Sequence, residues 1–149
     1  MSETPAGCTL CRPDLGPILA DGAHWRLVLN RNQDLLGKCF LVTRRHVERV
    51  DALTGEEWSE LHALIARTRR ALDIAFQPDH FNYAFLQNQD RHAHLHVIPR
   101  YAAERAFRGL AFTDPGYPGH YRIDDPPRQL EPVVEQALVA LLADAWTRG

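Results

Sequence analysis

Much that would define a protein's class is missing from this chain of 149 residues. No apolar run approaches the roughly 18 residues that cross a bilayer, so no membrane span and no membrane partner is expected. The segment from Met1 to Leu10 has neither a basic start nor an apolar core, so no secretory signal is expected. Cysteine is scarce: three residues are too few for a disulfide scaffold, and an odd number fits a reducing compartment, hence a cytoplasmic location. A basic excess is also lacking, since 17 Lys and Arg face 19 Asp and Glu for a net charge of −2, which argues against a nucleic acid polymer as partner. Lysine is nearly absent, Lys38 being the only one. There is no internal repeat and no low-complexity tract. What remains is ordinary globular composition, 45% hydrophobic and 24% charged, and the length predicts one domain over residues 1–149.

Residues 1–20 read as turn-rich around Cys8 and Cys11. Trp25, Leu27 and Leu29 alternate with His24, Arg26 and Val28 as in a strand, and Cys39-Phe40-Leu41-Val42 reads as a second strand after a polar loop over residues 30–37. Thr54-Gly-Glu-Glu57 is a capping box, followed by Trp58, Leu61, Ile65, Thr68 and Leu72 at helical spacing up to Pro78. Residues 81–88 alternate again, and residues 92–98 form another predicted strand. After Tyr101 an irregular stretch runs to Arg128. Val134, Leu138, Leu141, Ala145 and Trp146 then predict a closing helix. This order gives antiparallel neighbours and an α+β fold.

Three of the eight histidines fall within five residues, in His92-Ala-His94-Leu-His96-Val-Ile-Pro. On a strand the three imidazoles share one face, with Ala93, Leu95 and Val97 on the other. Three titratable rings in a row are costly to bury, so a core role is disfavoured. A His-rich solvent face and a metal site on an HxH pair remain as alternatives. Cys8 and Cys11 form a C-x-x-C pair without the βαβ context of a redox motif. With His46 and His92 they would complete a Cys₂His₂ zinc site; the plain alternative is two packed thiols.

Together these residues resemble the histidine-triad (HIT) superfamily, and in particular its zinc-containing branch. The likeness rests on His92-Ala-His94-Leu-His96-Val-Ile-Pro-Arg100, on Gly37-Lys38-Cys39-Phe40-Leu41-Val42-Thr43-Arg44-Arg45-His46, and on the Cys8/Cys11 pair, and it covers about residues 8–101. It implies an antiparallel sheet of about five strands with a long helix and a C-terminal helix, usually as a homodimer. It also implies a nucleotide substrate and a covalent nucleotidyl-histidine intermediate. Carried over by residue, His94 is the nucleophile. His96 serves the phosphate and the leaving group, and Cys8, Cys11, His46 and His92 hold a structural zinc.

The resemblance makes Asn30 a candidate for a ribose hydroxyl, although Asn also suits a turn. Asn88 and Gln89 are candidates to face the phosphate. Two departures from the family pattern matter. Lys38 stands where the family usually has His, either as a point charge for phosphate or as an edge-strand charge. The loop before the triad is short and lacks the family's Gly-rich segment, which leaves Arg91 or Lys38 to supply charge. The expected function is a nucleotide hydrolase or nucleotidyltransferase. A metal-dependent enzyme built on the triad and a nucleotide-binding regulatory protein with weak turnover are the competing readings.

Overall fold

A computed structural model describes residues 5–149. Five antiparallel strands form the main sheet: β1 (Ile18–Asp21), β2 (Trp25–Leu29), β3 (Cys39–Thr43), β4 (His80–Ala84) and β5 (His94–Arg100), in the spatial order β1-β2-β3-β5-β4. Two helices, α1 (Gly55–Phe76) and α2 (Pro132–Arg148), pack against each other and cover one face. That is the α+β architecture expected, with the long helix and the C-terminal helix in place.

Strand alternation divides the sheet's side chains. Trp25, Leu27, Leu29, Cys39, Leu41, Leu95 and Val97 point to the helices and join Leu61, Leu72, Leu138 and Leu142 in the main core. Val28, Phe40 and Val42 point the other way and make a small second cluster with Leu10 and Leu15. The helix-free face is therefore the one left for chemistry.

Helix α1 starts where its sequence says it should. The Thr54 hydroxyl accepts from the Glu57 amide while the Glu57 carboxylate accepts from the Thr54 amide. Glu57 is itself buried, because it also takes the Arg45 guanidinium at 2.5 Å. The helix ends on Gln77, in the left-handed region at φ 51°, just before Pro78. Gly37 is required where β3 begins: its φ is +87°, and a Cβ there would lie 2.7 Å from Leu72 Cδ2 in α1.

Several details differ from the sequence reading. Residues 18–20, read as turn-rich, form β1 together with Asp21, an edge strand too short and too exposed to show a clear period. The strand expected over residues 81–88 is β4 and stops at Ala84. In α1, Trp58 is 42% exposed and meets Phe85 edge-on rather than entering the core. In α2 the buried positions are Leu138, Leu142, Ala145 and Trp146, with Leu141 only half-buried. The stretch expected to be irregular contains a hairpin, β6 (Arg105–Phe107) and β7 (Leu110–Phe112), turned by Arg108 and Gly109 at φ 50° and 78°. Two consecutive positive φ values make the two-residue turn that matches strand twist.

Candidate functional site

The triad does not lie on one strand. β5 begins at His94, because the Ala93 amide donates to the Val47 carbonyl and the Ala93 carbonyl accepts from the Thr43 amide, both beyond the end of the β3 ladder. His92 therefore precedes the strand, although Ala93, Leu95 and Val97 all join the helix-side core, as the alternation requires. His92 is fully buried and turns toward the N-terminal cysteines, while His94 and His96 rise from the helix-free face with ring centroids 4.8 Å apart. This separation weakens the reading in which the three rings ligate one metal.

The first cluster joins Cys8, Cys11, His46 and His92, whose ligand atoms all lie within 4.8 Å of one another. Three sulfur–nitrogen separations, Cys8 and Cys11 to His92 Nδ1 and Cys11 to His46 Nδ1, are 3.4 Å. A tetrahedral zinc with ordinary bond lengths sets such edges at about 3.5 Å, so the donor set fits zinc. The far sides of both rings fit as well. His92 Nε2–H donates to the Thr43 carbonyl at 2.8 Å, and His46 Nε2 meets the Glu48 carboxylate at 3.4 Å, which leaves each Nδ1 lone pair for a cation. Burial, then the Cys8 sulfur, push the Cys11 thiol up to about 11, a proton that a bound cation must displace. The same knuckle reaches the loop before the triad, where the Thr9 hydroxyl donates to Asp90 at 2.5 Å.

The second cluster is a cleft of about 530 Å³ on the helix-free face. Its walls include His94, His96, Asn30, Lys38, Asn88 and Gln89, so all six candidates for catalysis and substrate binding meet in one place. His94 is pinned: its Nδ1 lies 2.6 Å from the His92 carbonyl. A carbonyl only accepts, so Nδ1 carries a proton, and in the neutral ring the lone pair is on Nε2. His96 is held down to about 4 by burial first, then by His94 and by Lys38, so its ring is neutral near pH 7. Asn30 has both of the roles weighed for it. Its Oδ1 accepts from the Asn32 amide in a turn, and the residue also lines the cleft. Asn88 and Gln89 are exposed on the rim.

Lys38 is neither an edge charge nor a loose cation. It is 4% exposed, and its ammonium contacts Asp34 Oδ1 at 2.5 Å and donates to the Tyr121 hydroxyl at 2.7 Å. Tyr121 in turn donates to Asp34 Oδ2 at 2.7 Å. Burial lowers the Lys38 pKa, and Asp34 opposes that shift. Arg91, the other expected source of charge, does not line the cleft.

The sequence reading missed Asp34, Tyr121, Ile98, Ile123 and Asp124. Asp34 carries a weak local signal, four residues before Lys38. Tyr121 carries none: it reaches the cleft because residues 114–124 fold back over the sheet. That lap is anchored by the buried pair Arg100–Asp114, at 2.7 Å, with Asn82 accepting from the same guanidinium at 2.7 Å. Beyond the lap, the Arg128 amide donates to Asn32.

The HIT domain family model matches residues 19–103. A histidine triad protein from Marinobacter aquaeolei VT8 superposes with a TM-score of 0.73 at 21% identity, over 89% of each chain. One from Bradyrhizobium japonicum gives 0.70 at 20% identity, over 87% of this chain and 89% of that one. A Zn-bound histidine triad family protein from Mycobacterium smegmatis gives 0.64 at 18% identity, over 95% and 94%. At such identities the structural likeness establishes the fold. A search of curated proteins finds no significant match.

Proposed function

The chain belongs to the HIT domain family, whose members are in general nucleotide-binding hydrolases or transferases, and we propose that it transfers a nucleotidyl group through a covalent bond to His94. The observation that carries this reading is the 2.6 Å contact from His94 Nδ1 to the His92 carbonyl. It commits a proton to Nδ1, so that Nε2 is the nitrogen whose lone pair the neutral ring offers as nucleophile. In the first step His94 Nε2 bonds to the α-phosphorus and the bond from phosphorus to the leaving group breaks. The leaving atom takes a proton from His96. A neutral His96 carries one N–H, and an arriving phosphate favours its protonated form, so the proton is drawn in by substrate rather than held beforehand. In the second step water breaks the P–N bond and releases the nucleoside monophosphate; a different acceptor in place of water gives a transferase. Asn30 is assigned to the ribose, and Asn88 and Gln89 to the phosphate oxygens.

Zinc is assigned to Cys8, Cys11, His46 and His92. These four residues would close the ion's shell, so it would supply structural cohesion and no reaction chemistry. It would tie the N-terminal knuckle to His92, and thereby support the carbonyl that orients His94. Metal chemistry on the triad itself is disfavoured, since among the described residues the Cys8/Cys11/His46/His92 group is the one metal-ligating cluster. We also assign a homodimer, consistent with β4 being an edge strand paired only to β5.

The test is to incubate the protein with activated nucleoside phosphates and to map the adduct by mass spectrometry. A nucleotidyl mass on His94 is expected. An adduct on another residue, or wild-type turnover by His94→Ala, refutes the mechanism.

A further inference from the structure

Residues 86–90 line one side of the cleft, and little of their own holds them in place. Among the described residues, 86–91 make no backbone-to-backbone hydrogen bond. Two hydrogen bonds tie this segment to the rest of the protein, both through side chains, and the exposed Asn88 and Gln89 take part in neither. At Gln87 the backbone is in the left-handed region, at φ 48°. A residue with a side chain stays there when its surroundings hold it. Gln87 Nε2 donates to the Glu48 carbonyl at 2.7 Å, and at the other end the Thr9 hydroxyl donates to Asp90 Oδ1 at 2.5 Å.

Both bonds end on segments that carry metal-ligating side chains. Thr9 opens the turn between Cys8 and Cys11. Glu48 follows His46 by two residues and meets its ring at 3.4 Å. The segment then runs into His92, which lies 3.4 Å from both cysteine sulfurs. We propose that Thr9 is a positioning residue for the cleft: through Asp90 it fixes the segment 86–91, so that Asn88 and Gln89 are presented to the substrate's phosphate. This rests on the function proposed above, which assigns those two side chains to the phosphate oxygens. The segment has no glycine, so side chains rather than a closely approaching backbone must meet the phosphate. Side chains bind well only from a fixed backbone, because a loop already ordered loses less conformational entropy when its ligand arrives. Thr9 itself does not line the cleft. It is exposed, so losing its hydroxyl should scarcely change global stability and should act on loop order and affinity instead.

The experiment places Thr9→Val, which removes the hydroxyl at nearly constant shape, in a His94→Ala background, so that binding is read without turnover. Affinity for adenosine 5′-monophosphate is measured by calorimetry, backbone order by ¹⁵N relaxation, and zinc by elemental analysis. Relative to His94→Ala alone, Kd is expected to rise about 5-fold, within the reach of one hydrogen bond. Order parameters over residues 87–90 are expected to fall from ~0.85 toward ~0.6. Zinc content and Tm should stay as they are, and Thr9→Ser, which keeps a hydroxyl, should match the parent. With His94 present, Thr9→Val should raise KM and leave kcat within about 2-fold. Unchanged affinity and order in Thr9→Val, with a His94 adduct still forming, overturns this inference and leaves the proposed function standing. Zinc lost together with affinity also overturns it, because the effect would then run through the metal ligands. Affinity and order that respond to Thr9→Val, without any His94 adduct in the wild-type protein, support the strut and overturn the proposed chemistry. Absence of nucleotide binding by both His94→Ala and the wild-type protein overturns both.

Discussion

Replacing Asp114 with alanine should be among the most damaging single changes to this fold, although Asp114 lies in a stretch that looks structureless in sequence. Its carboxylate and the Arg100 guanidinium have side chains 3% and 2% exposed. Asp114 accepts from Arg100 Nε at 2.7 Å and Nη2 at 3.2 Å, and also from the amides of Tyr101 at 3.2 Å and Gly116 at 3.3 Å. Without it, Arg100 keeps one side-chain acceptor, Asn82, against a full buried charge. Removing one partner of a buried pair costs about 3–5 kcal/mol, because the other charge stays desolvated. At ~2–4 °C per kcal/mol for chains of this length, Tm should fall by roughly 6–20 °C. Urea unfolding at pH 7, followed by circular dichroism, measures the loss directly. The double replacement Arg100→Met with Asp114→Leu removes both charges and should recover most of the loss, since an apolar pair of similar volume has no charge to strand. A cost below about 1 kcal/mol for Asp114→Ala would mean that Arg100 finds water or another acceptor, and the account of a sealed pair anchoring the lap would be wrong.

Further outcomes are expected. His94→Ala should lower turnover by at least ~10³-fold, the scale for losing a nucleophile, while nucleotide affinity measured by calorimetry stays within about 10-fold. Protein purified without chelators should contain about one zinc per chain, and Cys11→Ser should lose both the metal and thermal stability; metal retained after that change would move the site elsewhere. His96 has its folded-state pKa depressed to about 4 from an unfolded value near 6.5. Its neutral burial is therefore fully favourable above pH 6.5 and is lost as pH falls toward 4. Between pH 7 and 5 this amounts to about 2 kcal/mol, and His96→Asn should flatten that part of the stability curve. Light scattering at micromolar concentration should report twice the 17.0 kDa chain mass; a species of one chain mass removes the dimer.

Local chemistry is what a sequence displays, and here that was considerable. The capping box at Thr54 and Glu57, the alternation of Trp25, Leu27 and Leu29, and the spacing of His94 and His96 each depend on residues two to four apart. They are governed by strand and helix periods that operate before any tertiary contact forms. The alternation holds through Ala93, Leu95 and Val97, which are buried together, but the separate setting of His92 has a tertiary reason. The backbone around Ala93 bonds to Thr43 and Val47, so the strand starts two residues late and its first imidazole turns to Cys8 and Cys11, more than eighty positions away. The setting of Lys38 was equally hidden. Whether a lone lysine is a surface charge or a neutralised buried one depends on Tyr121, eighty-three residues on. No local pattern encodes that pairing, because the buried Arg100–Asp114 anchor and the bonds of Arg128 with Asn32 and Gln33 return the chain across the sheet.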